Sequence, residues 1–246
     1  MVTIDAKGIY YKDLNEKIKE VLANGAEEIR LLNVNGQRYI GDCISGRQRI
    51  IIEGTPGNDM AAYMDGLELI VKGNAQDGVG NTMNGGTVVI HGDAGDITGY
   101  AMRGGEIYIR GNVGYRVGIH MKEYKDQVPV IVIGGTAGDF LGEYMAGGII
   151  IVLGLNVETG QEVVGNFCGT GMHGGVMYIR GEIQEYQLGK EVKVLEPTDE
   201  DYKVLEYYVG RFCQFFDLEA EPIWQKKFRK LIPYNKRPYG NLYTRW

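Results

Sequence analysis

Short segments in which apolar residues alternate with variable ones recur along the chain, each ending in glycine: IIIEG, ELIVKG, TVVIHG, EIYIRG, VIVIGG, IIIVLG and VMYIRG. Alternation of period two is the mark of a strand with one face in a core and the other outside. Aligned, the segments give two aliphatic columns. The first is Ile50, Leu69, Val88, Ile107, Ile131, Ile150, Met177, and the second is Ile52, Val71, Ile90, Ile109, Ile133, Val152, Ile179. The residues flanking them vary, as in the pairs Glu68/Lys72, Thr87/His91 and Glu106/Arg110.

The segments keep a fixed spacing. Met64, Met83, Met102 and Met121 lie 19 residues apart, and the register continues through Met145 and Met172 once two insertions are allowed. Glycines repeat with the same period at Gly73, Gly92 and Gly111, and at Gly80, Gly99 and Gly118. A 19-residue unit cannot bury its own apolar side, whereas stacked units can, which is the physical content of a solenoid. Counting from Ser45 gives roughly seven turns. At about 4.8 Å per turn they would form a prism roughly 30–35 Å long. Parallel crossovers are overwhelmingly right-handed. The expected fold is therefore all-β, a right-handed parallel β-helix with short helical extensions. Each buried Val or Ile of the two columns contributes about 1.5–3 kcal/mol.

In such a fold the pairs Gly85–Gly86, Gly104–Gly105, Gly147–Gly148 and Gly174–Gly175 mark one corner, where positive φ or close backbone approach is needed. A second corner carries Asn58, Asp77, Asp96, Asp139 and Asn166, with Tyr115 the exception. Asn and Asp tolerate the left-handed region and can cap their own turn. The methionines fill an interior strip.

Composition narrows the chemistry. The 246 residues are 44% apolar and 24% charged, with a net charge of −6 that gives no basic footprint for nucleic acid. No apolar run approaches a membrane span. Cys43, Cys168 and Cys213 lie far apart, with no metal-ligand spacing, and read as reduced cytoplasmic thiols. GTGMHG matches a dinucleotide fingerprint at Gly169, Gly171 and Gly174, but a strand follows where that motif needs a helix. One carboxylate per 19 residues is too sparse for a calcium ladder. His91, His120 and His173 occupy three different repeat positions, and Cys168 falls in an inward column with Met60, Val79, Thr98, Val117 and Leu141. No catalytic, cofactor-binding or metal residue is assigned.

Function is expected where the repeat breaks. KEYKDQVP lengthens the turn between Met121 and Val130, and LNVETGQEVV the turn between Gly154 and Gly165. Loops projecting from a rigid frame often carry contacts. The outward positions Val130, Val132, Ile149, Ile151 and Leu153 are apolar and require cover from this chain or a partner. DLNEKIKEVLANG is an amphipathic helix suited to capping the first turn, and Asp199–Phe216 reads as another. A basic, aromatic tail follows, PIWQKKFRKLIPYNKRPYGNLYTRW, expected to dock on a partner or on the helix wall. The resulting division is 1–28 N-terminal cap, 29–190 β-helix, and 191–246 helix and tail.

The turns GDAGDITGYAMRGGEIYIRGNVG and GTAGDFLGEYMAGGIIIVLG, with the lead-in NVNGQRYIGDCISG, resemble the C-terminal β-helix domain of the glutamate synthase large subunit over roughly residues 29–190. The same repeat is similar to one in formylmethanofuran dehydrogenase, a molybdenum or tungsten enzyme of several subunits. The first resemblance implies a structural domain encoded alone. It would hold an amidotransferase subunit and a synthase subunit with FMN and an iron–sulfur cluster, and bind no cofactor itself. The implied complex converts glutamine, 2-oxoglutarate and reductant to two glutamates. The alternatives are a structural role in a formylmethanofuran dehydrogenase-type complex, or a separate enzyme with a pocket made by the inserted loops. Self-association of the chain is compatible with each.

Overall fold

The computed structural model describes residues 1–158 and 160–235. Eleven strands form one sheet in the order β1-β2-β3-β4-β5-β6-β7-β8-β9-β11-β10. They are β1 (Val2–Asp5), β2 (Glu28–Asn35), β3 (Arg49–Thr55), β4 (Asp65–Val71), β5 (Gly85–Ile90), β6 (Glu106–Ile109), β7 (Val130–Ile133), β8 (Ala146–Val152), β9 (Gly174–Arg180), β10 (Val192–Leu195) and β11 (Phe228–Pro233). From β1 to β9 every neighbouring pair is parallel, as in a β-helix. Six coils link the strands β3–β9, one fewer than the count from Ser45 gives.

Register confirms the two aliphatic columns. Ile50, Leu69, Val88, Ile107, Ile131, Ile150 and Met177 are successive partners, as are Ile52, Val71, Ile90, Ile109, Ile133, Val152 and Ile179. All are fully buried, and so are the six methionines of the 19-residue register. Each methionine carbonyl except the last accepts from a backbone N–H one coil on, for example Asn84 to Met64 and Arg103 to Met83, both at 2.8 Å. Like side chains therefore stack over like.

Both ends are closed. Helix α1 (Tyr11–Ala23) crosses from β1 to β2 and buries Leu14 and Ile18 against the first coil. The strand β1, in a segment read from the sequence as helical cap, adds a further rung beyond it. At the other end β11 pairs antiparallel with β9, and β10 with β11. The basic tail was expected on a partner or on the solenoid's own wall, and its described part takes the second place. Its first part extends the sheet edge, with Phe228 and Leu231 buried, because that edge would otherwise leave a row of backbone groups unpaired. Residues 236–246 lie outside the described residues.

The apolar outer face is covered by the chain itself. Helix α2 occupies Asp199–Phe216, the predicted bounds. Its Leu205, Val209, Phe212 and Phe216 pack on Val89, Tyr108, Val130, Val132, Ile151 and Tyr178. The backbone of Gly134 comes so close to the Phe212 ring that a Cβ would lie 2.7 Å from it. Within α2, Gly210 has open space around the position of a Cβ. Gly210→Ala is therefore expected to raise stability by about 0.5–1 kcal/mol, read as a higher urea midpoint.

Candidate interaction surfaces

The corner columns do different work from that expected. Asp77, Asp96 and Asp139 are not themselves left-handed; the next residues are, at Gly78, Ile97 and Phe140. The carboxylates instead reach across coils. Asp77 accepts from the Asp96 N–H at 2.9 Å, Asp96 from Tyr115 at 2.8 Å, and Asp139 from Asn166 at 2.7 Å. A second ladder runs beside it, Asn74 to Asp93, Asp93 to Asn112, and Asn112 to Thr136. Each side chain passes over the glycine of the following coil, at Gly92, Gly95, Gly111, Gly114, Gly135 or Gly165, where a Cβ would collide with its Oδ1. The couplet Gly–Asx is thus an inter-coil clasp. The sequence shows the couplet, but its direction of reach depends on the stacking.

A third wall follows this corner. In each coil three alternate residues take positive φ: 59, 61, 63; 78, 80, 82; 97, 99, 101; 116, 118, 120; 140, 142, 144; and 167, 169, 171. Their N–H groups donate alternately to the next coil and the previous one, as Ile97 to Tyr115, Gly99 to Val79 and Ala101 to Ile119, at 2.7–2.8 Å. The inner face of this wall is the column Met60, Val79, Thr98, Val117, Leu141, Cys168, all buried. Thr98 satisfies its hydroxyl on the Gly95 carbonyl at 3.2 Å.

The singled-out residues do not converge. Gly169 and Gly171 belong to the left-handed wall, and Gly174 opens β9 rather than a helix. Burial pushes the Cys168 thiol up to about 12. Cys213 is buried on α2, its thiol also raised by burial, and Cys43 is exposed beside Asp42. His173 lies 3.1 Å from the Gly171 carbonyl, and His120 stacks on Tyr144. Among the described residues, no three His, Cys, Asp or Glu side chains are grouped to hold a metal ion.

His91 lies outside β5, 3.0 Å from the Lys72 ammonium and edge-on to Phe216. Burial, then the charges of Lys72 and Arg110, hold its pKa below the usual 6.5. The unfolded chain takes up this proton first, so the contribution is complete above about 6.5 and is lost as pH falls through the lower folded value. A His91→Gln variant should show a flatter decline of urea midpoint below about pH 6.5.

Of the inserted loops, the first closes on itself. Tyr124 and Gln127 exchange two backbone hydrogen bonds of 3.1 Å, and Glu123 accepts from the Gly148 N–H. The second forms one side of an open groove of about 590 Å³ with Arg180, Glu182, Lys226 and Lys227 on its border. The Arg180 guanidinium is engaged by the carbonyls of Ile223, Leu153 and Pro222, so it anchors the segment after α2.

A clasped and capped solenoid with alternate left-handed residues on one wall is the architecture that a family model described as GXGXG motif matches over residues 14–234. The chain belongs to the GXGXG motif family. In this GXGXG protein, the spacing Gly78–x–Gly80 and Gly169–x–Gly171 is two left-handed positions of one coil. The uncharacterized protein MJ1350 of Methanocaldococcus jannaschii is similar at 50% identity over 252 residues, covering 99% of this chain and 96% of that protein. Among solved structures, a chain of the formyltransferase/hydrolase complex (FhcABCD) from Methylorubrum extorquens, determined with methylofuran, has a similar fold. The TM-score is 0.65 at 19% identity, with 95% of this chain and 96% of that chain covered. No described helix is long and apolar enough to cross a membrane.

Proposed function

We propose that this chain is a non-catalytic, cytoplasmic subunit of a glutamate synthase, holding an amidotransferase subunit and an FMN and iron–sulfur synthase subunit at fixed separation. The observation that carries this reading is the placement of the polar groups. Side chains that could have formed a site are spent as inter-coil clasps, caps and anchors, while the family match runs nearly the whole chain. A frame with every coil tied to the next suits a complex that passes a small intermediate between centres, since little relative movement is tolerated there. The expected reaction of the complex is glutamine plus 2-oxoglutarate plus reductant to two glutamates.

The likeness of fold to a chain of a formyltransferase/hydrolase complex favours a second reading, a structural subunit of a formylmethanofuran dehydrogenase-type assembly. Affinity purification of the tagged chain from its native cells, followed by mass spectrometry, separates the two. The first reading predicts an amidotransferase and a flavin synthase; the second predicts molybdopterin or formyltransferase subunits. Recovery of neither set contradicts both.

A further inference from the structure

Three basic side chains stand on consecutive coils, each directly after its strand: Lys72 after β4, His91 after β5 and Arg110 after β6. Their backbones are in register, the N–H groups of Lys72, His91 and Arg110 donating to the carbonyls of Ile52, Val71 and Ile90 at 2.9–3.0 Å. Neighbouring rungs of a sheet lie about 4.8 Å apart, so the arms of Lys72 and Arg110 are both long enough to reach the imidazole between them. The Lys72 ammonium lies 3.0 Å from His91 Nε2, and the Phe216 ring closes the side toward α2, edge-on at 5.3 Å. Lys72 and Arg110 are exposed, and His91 is half-buried.

The group lacks a counter-charge. Glu53, which precedes Lys72 in the same column, is paired with Arg30, and Asp93 is turned to the Asn112 N–H at 2.7 Å. Asp217 follows Phe216 at the end of α2. Among the described residues, no ion pair includes Asp217, Lys72, His91 or Arg110. The charges that act on His91 are Lys72 on one side and Arg110 on the other; both oppose its protonation, and no carboxylate of α2 or of the sheet offsets them. The carbonyl end of α2 does not account for the cluster. A helix end favours a charged imidazole, yet His91, which touches Phe216, has its pKa depressed. Like charges gathered without a partner are unfavourable until an anion meets them, and Lys, Arg and protonated His all make charge-assisted bonds to oxyanions. We propose that Lys72, His91 and Arg110 form a binding site for a tetrahedral oxyanion, a sulfate or phosphoryl group. The site is independent of the assembly role proposed above.

A bound anion stabilises the imidazolium, so binding raises the His91 pKa and strengthens as pH falls. Sulfate is the probe, since its own charge does not change over the titration. The histidine ring signals of the full chain are followed by NMR against pH, in sodium sulfate and in sodium chloride of equal ionic strength. The His91 value should lie about one pH unit higher in sulfate, a tenfold preference of the anion for the charged ring, while His120 and His173 agree in the two salts. Lys72→Met and Arg110→Met, both at exposed positions, should keep the wild-type urea midpoint and lose the difference. Titration with inorganic phosphate and with a phosphate monoester at about pH 6, just under the ordinary histidine value, separates the sources. Tighter binding of the ester assigns a phosphorylated small molecule, and tighter binding of the free ion assigns phosphate itself. Equal His91 values in the two salts overturn the proposal. So does a sulfate effect shared by all three histidines, or one kept in full by Arg110→Met.

Discussion

Gly86→Ala should unfold the chain at markedly lower denaturant, with a loss of about 3 kcal/mol or more. The residue is the second of the Gly85–Gly86 pair at the start of β5 and has φ +97°. This conformation costs an L side chain about 1–3 kcal/mol. In addition, a Cβ there would collide with the Leu67 carbonyl oxygen and lie 2.9 Å from the Leu67 nitrogen in the preceding coil. Those are backbone atoms, so the conflict cannot be relieved by a rotamer change; the coils must separate or shift, at a further 1–3 kcal/mol or so. Gly8→Ala provides the contrast, having positive φ but open space around a Cβ, and should cost only the conformational part. Urea unfolding of both variants measures the difference.

Asp201→Ala is expected to be as damaging, by a different route, at about 3–5 kcal/mol. Asp201 is 7% exposed and accepts from the Tyr178 hydroxyl at 2.6 Å, the Lys230 ammonium at 2.8 Å and the Thr198 N–H at 2.7 Å. It thereby ties the first turn of α2 to β9 and β11 while completing a capping box with Thr198. Removing it leaves the Lys230 charge without its carboxylate and loosens the helix that covers Val130, Val132 and Ile151. Exposed apolar area should appear as dye binding before global unfolding. Burial raises the Asp201 pKa, but the bonds from Lys230, Tyr178 and Thr198 outweigh it and bring it down to about 2. Its stabilisation is therefore present above the unfolded value near 4 and lost as pH falls toward about 2. In the alanine variant that acid limb should shrink.

The fold was legible because its two signals reinforce each other. Period-two alternation marked the strands, and the 19-residue register showed which residues stack; Ile50 to Met177 and Ile52 to Ile179 pair as those signals require. Helix α2 was legible as an amphipathic stripe over Asp199–Phe216, while the Thr198–Asp201 capping box at its start emerged only from the structure. What escaped detection has physical causes. Phe140, Phe167 and Ile97 take positive φ although their side chains disfavour it, so residue type points the wrong way there. The Asp and Asn side chains act on the following coil, a contact that no local pattern reports. Strand β11 is rich in Lys and Arg because it borders solvent, which masks its two core residues, Phe228 and Leu231. The partners themselves leave no trace in repeat geometry, and their identity rests on family likeness.

The central claim is that this chain contributes position rather than chemistry. It is tested most directly by reconstituting purified amidotransferase and synthase subunits with and without it, and measuring glutamate formed from glutamine, 2-oxoglutarate and a reductant. The account predicts that glutamine-dependent synthesis rises when the chain is added, while each subunit's partial reaction is unchanged and the chain alone forms no glutamate. Equal glutamine-dependent rates with and without the chain, or glutamate formed by the chain alone, would contradict it.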